Sequence, residues 1–165
     1  MPNKERIDDV WNCVNRVDAY ITSSNFKTAL ILTFNVALFG ASYQSGFISG
    51  PNALVEYLLI SAYLIFAFLG LFFSLLAVSP NIKGGSGGPF YFIGLLKDSE
   101  AERQRNFLLN SGDVEIFNSL YRQYVDISRV ADKKFTYHSW SVRFVQISMF
   151  VLFILIAFHI FGSTA

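Results

Sequence analysis

No residue between Lys27 and Glu56 is charged, and none between Glu56 and Lys83. At about 1.5 Å per residue, a hydrocarbon core of roughly 30 Å needs on the order of 20 apolar residues, so each run is long enough to cross a bilayer as a helix. The spacing predicts spans over residues 28–48 and 57–78, with Ser49, Gly50, Pro51 and Asn52 turning the chain between them. A third run, residues 144–161, is shorter, but Arg143 can snorkel at one end and Gly162 closes the other. Of the 165 residues 53% are hydrophobic and 15% charged, which argues against both disorder and an ordinary soluble domain. That length leaves room for a small soluble annex but not for a separate catalytic domain beside three spans.

Basic residues orient the spans. Lys4, Arg6, Arg16 and Lys27 lie in residues 1–27, and the other nine of the thirteen lie in residues 79–143. By the positive-inside rule both segments are expected in the cytoplasm and the C-terminus outside, a split that an odd number of spans also requires. Charges of both signs are scattered through residues 1–27, so the first span is expected to act as its own signal anchor rather than follow a cleavable signal peptide. Ile7, Val10, Trp11, Val14, Val17 and Ile21 recur at helical spacing, which predicts an amphipathic helix running into span 1.

Residues 83–89 are glycine-rich but lack the Lys-Ser/Thr of a Walker loop, and they read as a linker. The aromatic segment 89–96 is too short to span and suits the interface or packing on the bundle. Ser99 with Glu102 forms a capping-box pattern for a helix reaching Asn110, and Ser111, Gly112 and Asp113 break it. No Gly or Pro interrupts residues 113–161, so one helix of about 49 residues, ~70 Å, is expected from the cytoplasm through span 3. Along it Val114, Phe117, Tyr121, Tyr124, Ser128, Ala131 and Phe135 form a stripe in steps of three and four, continued seven residues on by Val142, Val145 and Met149. The expected fold is an all-α membrane protein: three transmembrane helices with a cytoplasmic helical bundle partly continuous with the spans.

Thr28, Asn35 and Ser42 sit seven residues apart and make a polar seam on span 1, where Asn35 is expected to bond another helix rather than line a pore. Ala67, Gly70 and Ser74 mark a close-packing face on span 2. Gln146 and His159 fall near the two ends of span 3, within reach of interfacial water. The lone Cys13 gives neither a disulfide nor a thiolate metal set, and no triad or HExxH pattern occurs, so neither catalysis nor a metal or other cofactor is expected. A net charge of +1 offers no field for DNA or RNA. The ligand-facing candidates are Arg103, Arg105, Arg122, Arg129, Lys133 and Lys134 with Tyr121 and Tyr124, a set that also suits a solvated helix face near anionic lipid.

Three segments carry a resemblance across nearly the whole chain: Asn25-Phe26-Lys27-Thr28-Ala29 leading to Thr33-Phe34-Asn35, Ser79-Pro80 followed by Phe90-Tyr91-Phe92-Ile93-Gly94, and the run from Tyr121 to Phe135 with Ala131, Lys134 and Phe135 before the last span. In these the chain resembles the bacterial Pycsar transmembrane effector family. The resemblance implies a non-enzymatic antiphage effector in the bacterial inner membrane, a homo-oligomer in the lipid bilayer. It also implies activation by a pyrimidine cyclic nucleotide, cCMP or cUMP, from a cognate cyclase, with membrane disruption stopping growth of the infected cell. The residues themselves leave a second class open, a small helical scaffold or interaction subunit that opens no pore. Reporters fused after Asp113 are expected to read as cytoplasmic and reporters after Ala165 as periplasmic; a periplasmic signal at Asp113 would overturn the three-span topology.

Overall fold

A heptad rhythm organises all three long helices. A computed structural model of the chain describes residues 4–44, 54–79, 102, 105–107 and 109–162. Helix α1 covers Lys4–Gln44, α2 Leu54–Val78 and α3 Asp113–Gly162, and each is long and apolar enough to cross a membrane. Residues 102, 105–107 and 109–110 are also helical, and no strand occurs among the described residues. The turn at 49–52, the glycine-rich linker 83–89, the aromatic segment 89–96, Ser99 of the capping box and Arg103 lie outside the described residues, as does the end of span 1 at residue 48.

The helix ends follow local chemistry. Ser79 N–H donates to Leu75 O at 2.9 Å, and Pro80 then follows, which lacks the N–H to continue the ladder. Gly112 caps α3: its carbonyl accepts from Glu115 N–H (3.0 Å) and Ile116 N–H (3.2 Å), while Asp113 and Glu115 complement the positive end of the helix. As expected, nothing breaks α1 between the amphipathic segment and span 1, and nothing breaks α3 before Gly162.

The chain forms two compact units, Met1–Ser23 with Pro80–Lys133, and Ser24–Ser79 with Lys134–Ala165. In the first, Val14, Leu120 and Ala131 are buried, and Phe117 stacks on Tyr121 with ring centroids 6.4 Å apart. In the second, α1, α2 and α3 form a three-helix bundle. Glu56, Ile60, Tyr63, Ala67, Gly70, Ser74 and Ala77 are the buried residues of α2, in alternating steps of four and three. This is the spacing of a left-handed coiled seam. On α1 the same rhythm runs through Ser24, Thr28, Ile31, Asn35, Leu38 and Ser42, all fully or half buried. Ile60, Tyr63 and Ala67 of α2 join Leu152 and Leu155 of α3 in the apolar core.

Two expectations change. Trp11 is exposed beside the α1 stripe, not part of it. On α3 the inward line is Leu120, Tyr124, Ile127, Ala131, Lys134, His138, Ser141, Val145, Ser148, Leu152 and Leu155, so the stripe read through Tyr121, Phe135 and Met149 is largely one residue out of register and those three side chains are exposed. The reason is the solvent. In lipid, bulk apolarity does not drive helices together, so small residues take the seam and large apolar ones face outward. Phe68, Leu58, Phe150 and Phe153 are accordingly exposed.

At Gly70 the packing leaves no room for a side chain. A Cβ built there would lie 2.8 Å from Val145 Cγ2 and 3.2 Å from Asn35 Nδ2, so α2 meets both neighbours where it has no side chain. We expect Gly70→Leu to abolish the cooperative thermal transition in detergent. Gly70→Ala should cost about 1–3 kcal/mol by overpacking, and Val145→Ala in the same chain should restore most of that loss.

Candidate functional site

Several hydroxyl side chains in these apolar helices return their proton to their own backbone. Thr28 donates to Ser24 O at 2.8 Å, Thr33 to Ala29 O at 3.0 Å, Ser42 to Leu38 O at 2.8 Å and Ser61 to Tyr57 O at 2.8 Å. Their oxygens then remain free to accept a second bond. With its proton on Ser24, the Thr28 oxygen accepts from His138 Nδ1–H, 2.7 Å away. In the same way Ser42 accepts from the Tyr63 hydroxyl at 3.2 Å.

Between these two rungs Asn35, 1% exposed, donates from Nδ2 to Ala67 O at 2.9 Å. Thr28, Asn35 and Ser42 are therefore all buried, and together they tie α1 to both α3 and α2. Between α2 and α3, Ser74 bonds Ser141, which in turn donates to Gly70 O at 3.1 Å. Ala67, Gly70 and Ser74 are all buried, as the small-residue stripe predicts.

Lys134 closes one end of this bundle. Its ammonium donates to Ala77 O (2.8 Å), Asn25 Oδ1 (3.1 Å) and Ser79 O (3.3 Å), which satisfies all three protons and caps the C-terminus of α2 with a cation. Burial lowers its pKa from the usual lysine value. At the other end His159 Nδ1 lies 3.8 Å from Glu56 Oε1. The two histidines, isolated in the sequence, each meet a partner only through the helix pairing.

The basic and aromatic candidates separate. At about 100° per residue Arg122, Arg129 and Lys133 fall within an arc of ~40° on α3, and all three are exposed. Arg129 also bonds Asp126 at 3.3 Å, a surface pair of little energetic weight. Tyr121 is exposed at roughly 100° to one side of this ridge and Tyr124, half buried on the inward line, at roughly 160°. Tyr121 and Tyr124 rings are 6.4 Å apart. Lys134 lies off the ridge and is buried in its cap, and Arg105 is exposed on the preceding helical segment. Among the described residues no three His, Cys, Asp or Glu side chains gather as a metal site would require.

Sequence reasoning missed the Lys134 cap and the partner of His138. The usable signal was the heptad: Lys134, His138 and Ser141 continue the α3 line in steps of four and three. It also set Gln146 near an end of span 3, because Arg143 marks the limit of the uncharged run. In the structure α3 follows α2 from Lys134 to His159, which leaves Gln146 near the midpoint.

A family model described as Pycsar effector protein domain matches residues 9–161. The Escherichia coli protein named Pycsar effector protein EcPycTM is 26% identical over 171 residues, covering 94% of this chain and 91% of that protein. No solved structure matches. From the cap geometry, Lys134→Met should lower stability by about 2 kcal/mol and speed amide exchange in the last turn of α2. Lys133→Met, one residue away and exposed, should change neither.

Proposed function

The chain belongs to the Pycsar transmembrane effector family, and on that premise we propose that it is an antiphage effector of the bacterial inner membrane, switched on by cCMP or cUMP to disrupt that membrane and arrest or kill the infected cell. The observation that carries this reading is the family match over residues 9–161 on a chain with three helices able to cross a membrane. In this reading the N-terminus and the segment between α2 and the Lys134 end of the bundle face the cytoplasm, and the C-terminus faces the periplasm. The effector acts without catalysis, as a homo-oligomer.

The ligand meets the exposed ridge of α3. A cyclic nucleotide presents one negative charge and a flat base. Arg122, Arg129 and Lys133 suit the phosphate through charge-assisted hydrogen bonds, and the exposed ring of Tyr121 suits the base by stacking. Lys134 and Tyr124 serve helix packing from their inward positions. Because α3 is one helix from Asp113 to Gly162, a shift at the ridge has a continuous backbone along which to reach span 3.

Titration calorimetry on the purified full chain tests the ligand, and a potential-sensitive dye in cells tests the outcome. Wild type should bind a pyrimidine cyclic nucleotide and depolarise the cell. Arg122→Ala and Arg129→Ala should each weaken binding about tenfold or more, for loss of a charged hydrogen bond of ~1.5–3 kcal/mol, and leave the protein inserted and assembled. Binding without depolarisation would favour the scaffold, and unchanged affinity in both variants would move the sensor elsewhere.

A further inference from the structure

Gln146 stands halfway along the bundle and on its outside. Contacts between α2 and α3 mark the two ends, Lys134 with Ala77 and Ser79 at one and His159 with Glu56 at the other. At about 1.5 Å per residue, ~18 Å of α3 separates Gln146 from Lys134 and ~20 Å separates it from His159. Its exposed side chain borders a groove of about 320 Å³ formed by Leu30, Ile31, Phe34, Val142 and Val145. Its other side borders a hollow of about 360 Å³ shared with Arg143, Ile147 and Phe150. Among the described residues, Gln146 has no hydrogen bond, and Arg143 has only the ring of Trp140, 5.2 Å from its guanidinium carbon.

These two groups face different problems. Side chains on a helix tilt toward its N-terminus, so Arg143, a turn nearer the Lys134 end, already leans back over Trp140 and can snorkel. Gln146 is shorter and deeper, and it cannot reach either end. An amide left unpaired in hydrocarbon costs several kcal/mol, whereas Asn35, the other amide at this depth, is buried and bonded to Ala67 O.

We propose that this α1/α3 face is the contact with a second copy of the chain, with the Gln146 amide bonding its counterpart across the interface. An amide carries both donors and an acceptor and is therefore complementary to itself, which lipid tails are not. Arg143 rests on its own Trp140 and asks for no carboxylate, and a second copy brings none in the uncharged runs. Leu30, Phe34 and Phe150 supply the apolar surround of the contact. The inference rests on the reading of the chain as a membrane homo-oligomer and names the surface that assembles it.

The test uses the full chain with Cys13→Ser, reconstituted in phosphatidylethanolamine/phosphatidylglycerol vesicles. Energy transfer between labelled copies measures association, and Ile147→Cys or Phe68→Cys with a lipid-soluble oxidant locates the contact. Ile147→Cys should link at least tenfold faster than Phe68→Cys on the outer face of α2. Gln146→Leu should weaken association about three- to thirtyfold, the range for an interhelical bond in lipid, and Gln146→Asn should restore part of it. Association that persists with slow linking at Ile147 and no effect of Gln146→Leu overturns this face and leaves the oligomer standing. Absence of energy transfer overturns both. Labelling of Ile147→Cys by a membrane-impermeant maleimide without linking would make the face water-lined and overturn the interface.

Discussion

The bundle depends on a place with no side chain. At Gly70 the backbone of α2 comes against Val145 of α3 and the Asn35 amide of α1, and a single added carbon would lie within 2.8 Å of a valine methyl. In water such a contact would be one of many in a hydrophobic core. In lipid, where burying Leu against Leu gains little over Leu against acyl chain, close backbone approach and interhelical hydrogen bonds carry the association. The bonds cluster around this point: Asn35 to Ala67, Ser141 to Gly70, and Ser74 to Ser141.

The same medium explains the polarity of the seams. Every polar group placed in hydrocarbon has to find a partner within the protein. A seven-residue repeat keeps Thr28, Asn35 and Ser42 on one line of α1, so each finds its partner at successive levels of the neighbouring helices. Back-bonding to the preceding turn spends the hydroxyl protons locally, and the oxygens are left for the cross-helix bond. Lys134 extends this logic to the end of α2, where three protons meet three oxygens.

The two kinds of surface divide along the chain in a comparable way. The exposed ridge of Arg122, Arg129 and Lys133 belongs to the unit Met1–Ser23 with Pro80–Lys133, and the hydrogen-bonded bundle to the other. The boundary on α3 falls between two adjacent lysines whose fates differ, Lys133 exposed and Lys134 capped. α1 and α3 each contribute to both units without a break in the helix. In the proposed reading, that continuity is what connects a sensing face to a membrane bundle.

Absence of charge, read along the chain, was enough to count three helices able to cross a membrane, and absence of Gly and Pro was enough to make α3 one helix, because both are local properties of the backbone and its solvent. Thr28, Asn35, Ser42, Ala67, Gly70 and Ser74 were legible as seam residues for the same reason: in lipid, small and polar side chains are the informative ones. The register of α3 was not legible. Tyr121, Phe135 and Met149 make as regular a stripe as Leu120, Lys134 and Ser148, and periodicity cannot say which of two neighbouring stripes turns inward. Only the pairing of Ser141 with Ser74 and of Lys134 with the end of α2 decided that. It also set the place of Gln146 along the bundle, which is measured from the neighbouring helix and not from the nearest charge in the sequence.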